Sequence, residues 1–289
     1  MPCTFLSVSG IILQIDSDQP ITVEESCRPF LTETEKPRVH AIFSCVDSLS
    51  YQCGREVQRG LVWRYCRDDS GTTFRLFYAQ PDSPEPYACA VWDREKQNIR
   101  VEYLSWESAR LSSLMNCFFH MGMEQVLLWN RRLWPHASCV DTELGGILFS
   151  GVSGIGKSTQ AELWCRCRNA RQINGDRPIL SRSEEGWLAW GAPYAGSSRC
   201  YVNDCCNISA IVMLRQEKQC SLRRLGPSEA FREVWKGLAL YSWDRDFMEQ
   251  ASALTMDLIA SVPVYAFGCT PDEEAVDYLE RELQNEWNR

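Results

Sequence analysis

Apolar residues in the first 110 or so positions come in short runs, partly alternating with polar ones and broken by turn residues. The pattern predicts strands at Phe5–Ile15, Val39–Val46, Leu61–Cys66, Thr73–Ala79, Tyr87–Trp92 and Ile99–Leu104. Asp68-Asp69-Ser70-Gly71 and the proline-rich segment 81–86 supply turns between them. Leu111, Leu114, Met115, Phe118, Phe119 and Val126 then follow i, i+3, i+4 spacing, which predicts a helix over 111–130. The domain boundary is placed within it. A β-rich N-terminal domain of unknown role spans 1–118, and a second domain spans 119–289.

The second domain alternates the two patterns, as an α/β fold requires. Gly146–Ser150 reads as a buried strand and 159–164 as the start of a helix. Pro178–Ser181 and Trp187–Trp190 read as a hairpin, and Ala210–Leu214 as another buried strand. Ser228 is expected to cap a helix with Phe231, Val234, Trp235 and Leu238 on its apolar face. Phe247, Ala251, Leu254 and Leu258 mark a further helix, followed by a strand over 262–267. Thr270-Pro271-Asp272-Glu273 reads as N-cap, first-turn proline and capping-box glutamate of a last helix, whose buried stripe is Val276, Leu279 and Leu283.

Between the predicted strand at 146–150 and the helix after it lies Gly151-Val152-Ser153-Gly154-Ile155-Gly156-Lys157-Ser158, a G-x-x-x-x-G-K-S loop. The glycines let successive N–H groups turn inward around anionic oxygens, with Ser153 and Ile155 contributing backbone donors. Lys157 is placed to reach the outer phosphates of a nucleoside triphosphate. The Ser158 hydroxyl suits a Mg²⁺ shared with them, and Thr159 opens the helix whose N-terminus favours negative charge. The expected ligands are ATP and Mg²⁺.

Charge and cysteine content narrow the classes. A net charge of −8 and a pI near 5.1 offer no field for nucleic acid or an anionic membrane, and neither is an expected partner. Arg166, Arg168 and Arg171 form one local basic cluster, read as complementing the end of a helix. No apolar run approaches the roughly 20 residues of a membrane span. Fifteen cysteines, an odd number without an export signal, fit a reducing cytoplasm, and a cytoplasmic location is expected. No cysteine spacing suits zinc. The oligomeric state is left open, a homo-oligomer included.

Three further segments hold candidate chemistry. Asn174-Gly175-Asp176-Arg177 follows the post-loop helix, where a second strand would end beside the phosphates. A carboxylate there holds Mg²⁺ or takes a proton from a hydroxyl nucleophile. His136 precedes the loop strand by a few residues and reads on its own as structural. The small-residue segment 191–199 reads as a loop near a ligand, in which Arg199 would contact phosphate or an acidic acceptor.

Taken together, His136-Ala-Ser-Cys-Val-Asp141, the glycine loop and Gly175-Asp176-Arg177 resemble the core of the HPr kinase/phosphorylase family. The resemblance covers roughly 135–215 well and the remaining C-terminal part loosely. It implies a mixed-sheet nucleotide domain like that of PEP carboxykinase and ATP-dependent phosphorylation of a hydroxyl. Lys157 and Ser158 would stand at the phosphates, and His136 and Asp176 at the reacting end. Asp176 would be the catalytic carboxylate and, with Ser158, a Mg²⁺ ligand. The departures are Gly175 where the family has the first of two aspartates, and Thr159 where it commonly has Glu. The expected acceptor is a serine or other hydroxyl on a peptide or protein. A small hydroxylated metabolite and a non-catalytic ATP-binding module remain as alternatives.

Overall fold

The computed structural model describes residues 2–33, 36–51, 54–242 and 244–288. Two compact units form, one of Met1–Asn130 with Tyr241–Arg245 and one of Arg131–Leu240 with Asp246–Arg289. The units part after Asn130, whereas the sequence pattern places the boundary at 118/119. That position lies inside helix α1 (Leu114–Met121), which is tied to the first unit. The His120 ring meets the Tyr87 hydroxyl at 2.8 Å, and the Trp92 indole donates to the Met121 carbonyl at 2.8 Å. Helix α2 (Met123–Trp129) follows. The single helix expected over 111–130 is two, because Gly122 adopts φ +69 and ends α1.

In the first unit the strands are β1 (Cys3–Val8), β2 (Ile11–Ser17), β3 (Val39–Val46), β4 (Arg55–Arg59), β5 (Trp63–Arg67), β6 (Thr73–Phe77), β7 (Ala88–Asp93) and β8 (Asn98–Leu104). Among the described residues they form one mixed sheet in the order β1-β2-β3-β8-β7-β6-β5-β4. The single strand expected at 5–15 is a hairpin, turned at Ser9-Gly10 with φ 49 and 76. Strand β4 carries no apolar stripe to betray it: Arg-Glu-Val-Gln-Arg sits at the sheet edge, where charged side chains discourage further pairing.

The second unit is built on β9 (Arg132–Leu133), β10 (Ala137–Thr142), β11 (Gly145–Ser150), β12 (Arg171–Asn174), β13 (Ile179–Arg182), β14 (Trp187–Trp190), β15 (Cys205–Gln216), β16 (Ser221–Arg224) and β17 (Val264–Cys269). Its helices are α3 (Lys157–Arg168), α4 (Pro227–Lys236), α5 (Arg245–Ser261) and α6 (Glu273–Trp287). Strand β15 belongs to two arms. Its first residues pair antiparallel with β14, and its later ones lie parallel to β11 on one side and β17 on the other. Strand β10 runs antiparallel to both β11 and β12. The C-terminal ends of β11, β12, β15 and β17 therefore share one edge with the start of β10. On one face of this sheet, Ala161, Leu163 and Trp164 of α3 and Val276, Leu279 and Leu283 of α6 pack over Phe149, Val212 and Phe267.

Two expected caps are replaced. Helix α4 starts at Pro227 with Gly226 as N-cap, so Ser228 lies inside its first turn and caps nothing. Helix α6 is capped by Asp272, whose carboxylate accepts from the Ala275 N–H at 3.3 Å, not by Thr270. The basic cluster is mostly spent on ion pairs. Arg168 binds Asp277 and Glu280 of α6, the exposed Arg171 binds Asp141 and Asp204, and Arg166 is exposed. Among the described residues every cysteine is a free thiol, no metal-binding cluster of His, Cys, Asp and Glu occurs, and no helix is long and apolar enough to cross a membrane.

Candidate functional site

The site is assembled at the shared edge. After Ser150 the chain leaves β11, crosses 151–156 and enters α3 at Lys157. Gly154 and Gly156 take φ +78 and +112, and a Cβ on either would meet nothing within 4 Å. Glycine is required there by backbone conformation rather than by space. The turn leaves the N–H groups of Gly156, Lys157, Ser158 and Thr159 without acceptors inside the helix, so they face outward as donors. Lys157 is 6% exposed and donates to the Gly151 and Val152 carbonyls at 3.3 and 3.2 Å, which folds it over the loop. Burial lowers the Lys157 pKa; the Asp176 carboxylate opposes that shift, and Arg177 adds to it.

Asp176 is held next to this loop by its own backbone. Asn174, fully buried at the end of β12, accepts from the N–H groups of Asp176 and Arg177 at 2.9 and 2.7 Å. Its amide nitrogen donates to the Tyr194 carbonyl at 3.0 Å. The Ser138 hydroxyl donates to the Gly175 carbonyl at 2.7 Å, and the Ala137 N–H to the Asp176 carbonyl at 2.9 Å. The Asn-Gly segment is thus a clamped turn, with its aspartate only half-buried. The segment 191–199 packs against it. A Cβ at Gly175 would lie 2.1 Å from the Ser198 hydroxyl, and a Cβ at Gly196 would lie 2.9 Å from the Asp176 Cβ. Ser198 occupies the space that a side chain at 175 would need, which accounts for glycine there.

His136 completes the group from the start of β10. Its N–H donates to the Gly237 carbonyl at 2.8 Å, and its carbonyl accepts from the Ser150 hydroxyl at 3.2 Å. Its Nε2 lies 3.0 Å from Asp176 Oδ1. Burial and the Lys157 charge lower the His136 pKa, and Asp176 pulls the other way without overcoming them. Near neutral pH the ring is uncharged. A carboxylate only accepts, so Nε2 carries the proton and Nδ1 keeps its lone pair.

Two cavities flank the glycine loop within this unit. One, of about 370 Å³, is lined by His136, Gly151, Arg177, Glu233, Lys236 and Leu238 among others. The second, of about 500 Å³, lies beyond the ends of β15 and β17 and includes Gly154, Gly156, Thr159, Gln160, Thr270 and Pro271. The structure therefore brings Lys157, Asp176 and His136 together with the loop residues Gly151 to Thr159. Arg199 is exposed, at φ +51, and lines neither cavity. Sequence reasoning gives no role to Asn174 and Ser138 as positioning residues or to Arg177 and Gln160 as lining ones. Asn174 carries a signal as the first residue of an Asn-Gly pair that forms an Asx turn, and Arg177 carries one as the last residue of the Gly175-Asp176-Arg177 segment.

The residues expected to hold a metal are Ser158, in the first turn of α3, and Asp176, in the turn after β12. Two hard donors without a soft partner suit Mg²⁺ bound jointly with phosphate oxygens, and they do not suit a metal held by protein alone.

No protein-family model matches the sequence, and no curated protein matches it. Among solved structures the chain is similar to the Hpr(Ser) kinase/phosphatase from Coxiella burnetii, at a TM-score of 0.34 and 13% identity over 54% of this chain and 99% of that one.

Proposed function

We propose that the second unit is an ATP-dependent kinase that transfers the γ-phosphoryl group to a hydroxyl, with a peptide or protein side chain as acceptor. The observation that carries this reading is the His136–Asp176 pair at 3.0 Å beside the loop lysine. A phosphate cradle alone would serve any nucleotide-binding module. A neutral imidazole with a free nitrogen, oriented by a carboxylate, is what removal of a hydroxyl proton requires.

In this reading the loop N–H groups and Lys157 hold the β- and γ-phosphates and stabilise the charge that builds on them. Ser158 and Asp176 are the residues that would hold Mg²⁺, which when bound offsets phosphate charge. His136 Nδ1 takes the proton as the acceptor oxygen bonds to the γ-phosphorus and the bond to the β-phosphate bridging oxygen breaks, releasing ADP. Asp176 keeps the imidazole in the required tautomer, which supplies a base without asking one carboxylate to do everything that paired aspartates do elsewhere.

A small hydroxylated metabolite is the second reading. It is favoured by the 370 Å³ cavity at His136, whose Glu233, Lys236 and Arg177 would pair with polar groups of such a molecule. Transfer from γ-labelled ATP to candidate peptides and metabolites separates the two. His136→Gln and Asp176→Asn should each lower turnover by about 10²-fold or more while ATP binding persists. The double variant should be little worse than either, because the two act as a unit. ATP binding without transfer to any hydroxyl would leave a regulatory module instead.

A further inference from the structure

We propose that Arg177 is a further catalytic residue, holding the charge that builds on the γ-phosphoryl oxygens during transfer; the inference rests on the kinase reading above. Arg177 follows Asp176 in the turn after β12, and both of its backbone polar groups are fixed. Its N–H donates to Asn174 Oδ1 at 2.7 Å, and its carbonyl accepts from the Trp134 indole at 3.0 Å. The guanidinium carbon lies 5.5 Å from the centre of the Trp134 ring, so the side chain rests on an aromatic face. A planar fork laid on a ring loses little freedom on binding, which suits it to phosphate oxygens. The side chain is half-buried and lines the 370 Å³ cavity together with His136 and the loop residues Gly151, Val152 and Ser153. Its charge acts on both Lys157 and His136, so the three stand within electrostatic reach of one another.

The balance of charge gives Arg177 its role. Lys157 and Asp176 offset each other, and the His136 ring is neutral near pH 7. Glu233 and Lys236, which also line the cavity, pair with each other at 2.9 Å. Among the described residues Arg177 has its one ion pair with Asp176, at 3.9 Å, too long for a hydrogen bond. Arg177 therefore leaves the reacting end with a net positive charge. As the acceptor oxygen bonds to the γ-phosphorus, its proton passes to His136 Nδ1. The bond to the bridging oxygen breaks, and its electron pair leaves with ADP. Negative charge is then spread over the three equatorial oxygens of the group in transit. Cationic donors already fixed around them stabilise that state without reorganising.

The test is calorimetric titration of the full chain with ADP, with and without aluminium fluoride, which mimics the phosphoryl group in transit; Mg²⁺ is present throughout. The wild-type protein should bind ADP with fluoride at least about tenfold more tightly than ADP alone. Arg177→Met keeps an apolar stem over Trp134 and removes the charge. It should bind ADP within about twofold of wild type and lose the gain from fluoride. Arg177→Lys, which keeps the charge without the fork, should retain part of that gain. A gain that persists unchanged in Arg177→Met overturns the role of Arg177 and leaves the kinase reading standing. Loss of ADP affinity in step with that of the fluoride complex also overturns it, because the residue would then serve ground-state binding. Absence of any gain in the wild-type protein, a comparison that needs no variant to fold, overturns it while nucleotide binding stands. Binding of neither ADP nor its fluoride complex overturns both readings together.

Discussion

His136 and Asp176 meet at 3.0 Å although 39 residues separate them (176 − 136 − 1), and the bond is one between a neutral ring and a carboxylate rather than an ion pair. Strand order produces it. Strand β10 runs antiparallel to β12, so the first residue before β10 and the second after β12 arrive at the same edge. The N–H of Ala137 donates to the Asp176 carbonyl and locks the two backbones together.

Activity should follow the titration of that ring. The His136 pKa lies below the ordinary imidazole value of about 6.5, so the base form survives to lower pH than an exposed histidine would allow. The rate kcat/KM should be level above pH ~6.5 and fall only as pH drops through the lowered value. Ring-proton shifts of His136 in a nuclear magnetic resonance titration should follow the same curve. A midpoint above 6.5 would mean that the ring is held charged by Asp176.

A second histidine sets the acid stability of the first unit. His120 is 2% exposed, its Nδ1–H donates to the Asn116 carbonyl at 2.7 Å, and its Nε2 accepts from Tyr87. Burial first, then Arg75 and Arg110, hold its pKa down to about 4. Between that value and the unfolded value near 6.5 the unfolded chain binds more protons, so stability falls as pH is lowered. The whole loss is about 3 kcal/mol. Urea melts of the full chain at about pH 7 and pH 4, compared with those of His120→Gln, should show that part of the pH dependence removed by the substitution.

Gly175 marks a steric limit. Gly175→Asp would place a second aspartate in the turn but drive its Cβ into Ser198. The variant should lose about 1–3 kcal/mol of stability and gain no turnover. Ser198→Gly in the same chain should recover much of the loss, because it removes the atoms in contact. Thermal melts of the single and double variants check this, and equal melting temperatures for Gly175→Asp and wild type would show that the 191–199 loop yields freely.

Legibility differed between strands and site for physical reasons. Strand β3 reads correctly at both ends because Val39, Ala41 and Phe43 alternate inward with polar neighbours. Strand β10 does not stand out, since Ala-Ser-Cys-Val-Asp-Thr is buried by its place between two strands and not by its own hydrophobicity. The glycine loop is legible because its chemistry is local: spacing alone sets the φ angles and the lysine. The His136–Asp176 contact, the Ser198 obstruction at Gly175 and the Trp134 ring under Arg177 each join segments far apart in sequence. Only the motif resemblance places the first, and no pattern within one segment encodes the other two.

The central claim is that the loop at 151–158 binds ATP through Lys157, and calorimetric titration with ATP and Mg²⁺ tests it most directly. The wild-type chain should saturate with one equivalent, and at a concentration about 100 times the dissociation constant it should be stabilised by roughly 2.7 kcal/mol. Lys157→Ala should fold to nearly the same melting temperature and lose that binding, because among the described residues its ammonium hydrogen-bonds two loop carbonyls in the free protein. No heat of binding in the wild-type chain, or undiminished binding in Lys157→Ala, would contradict the account.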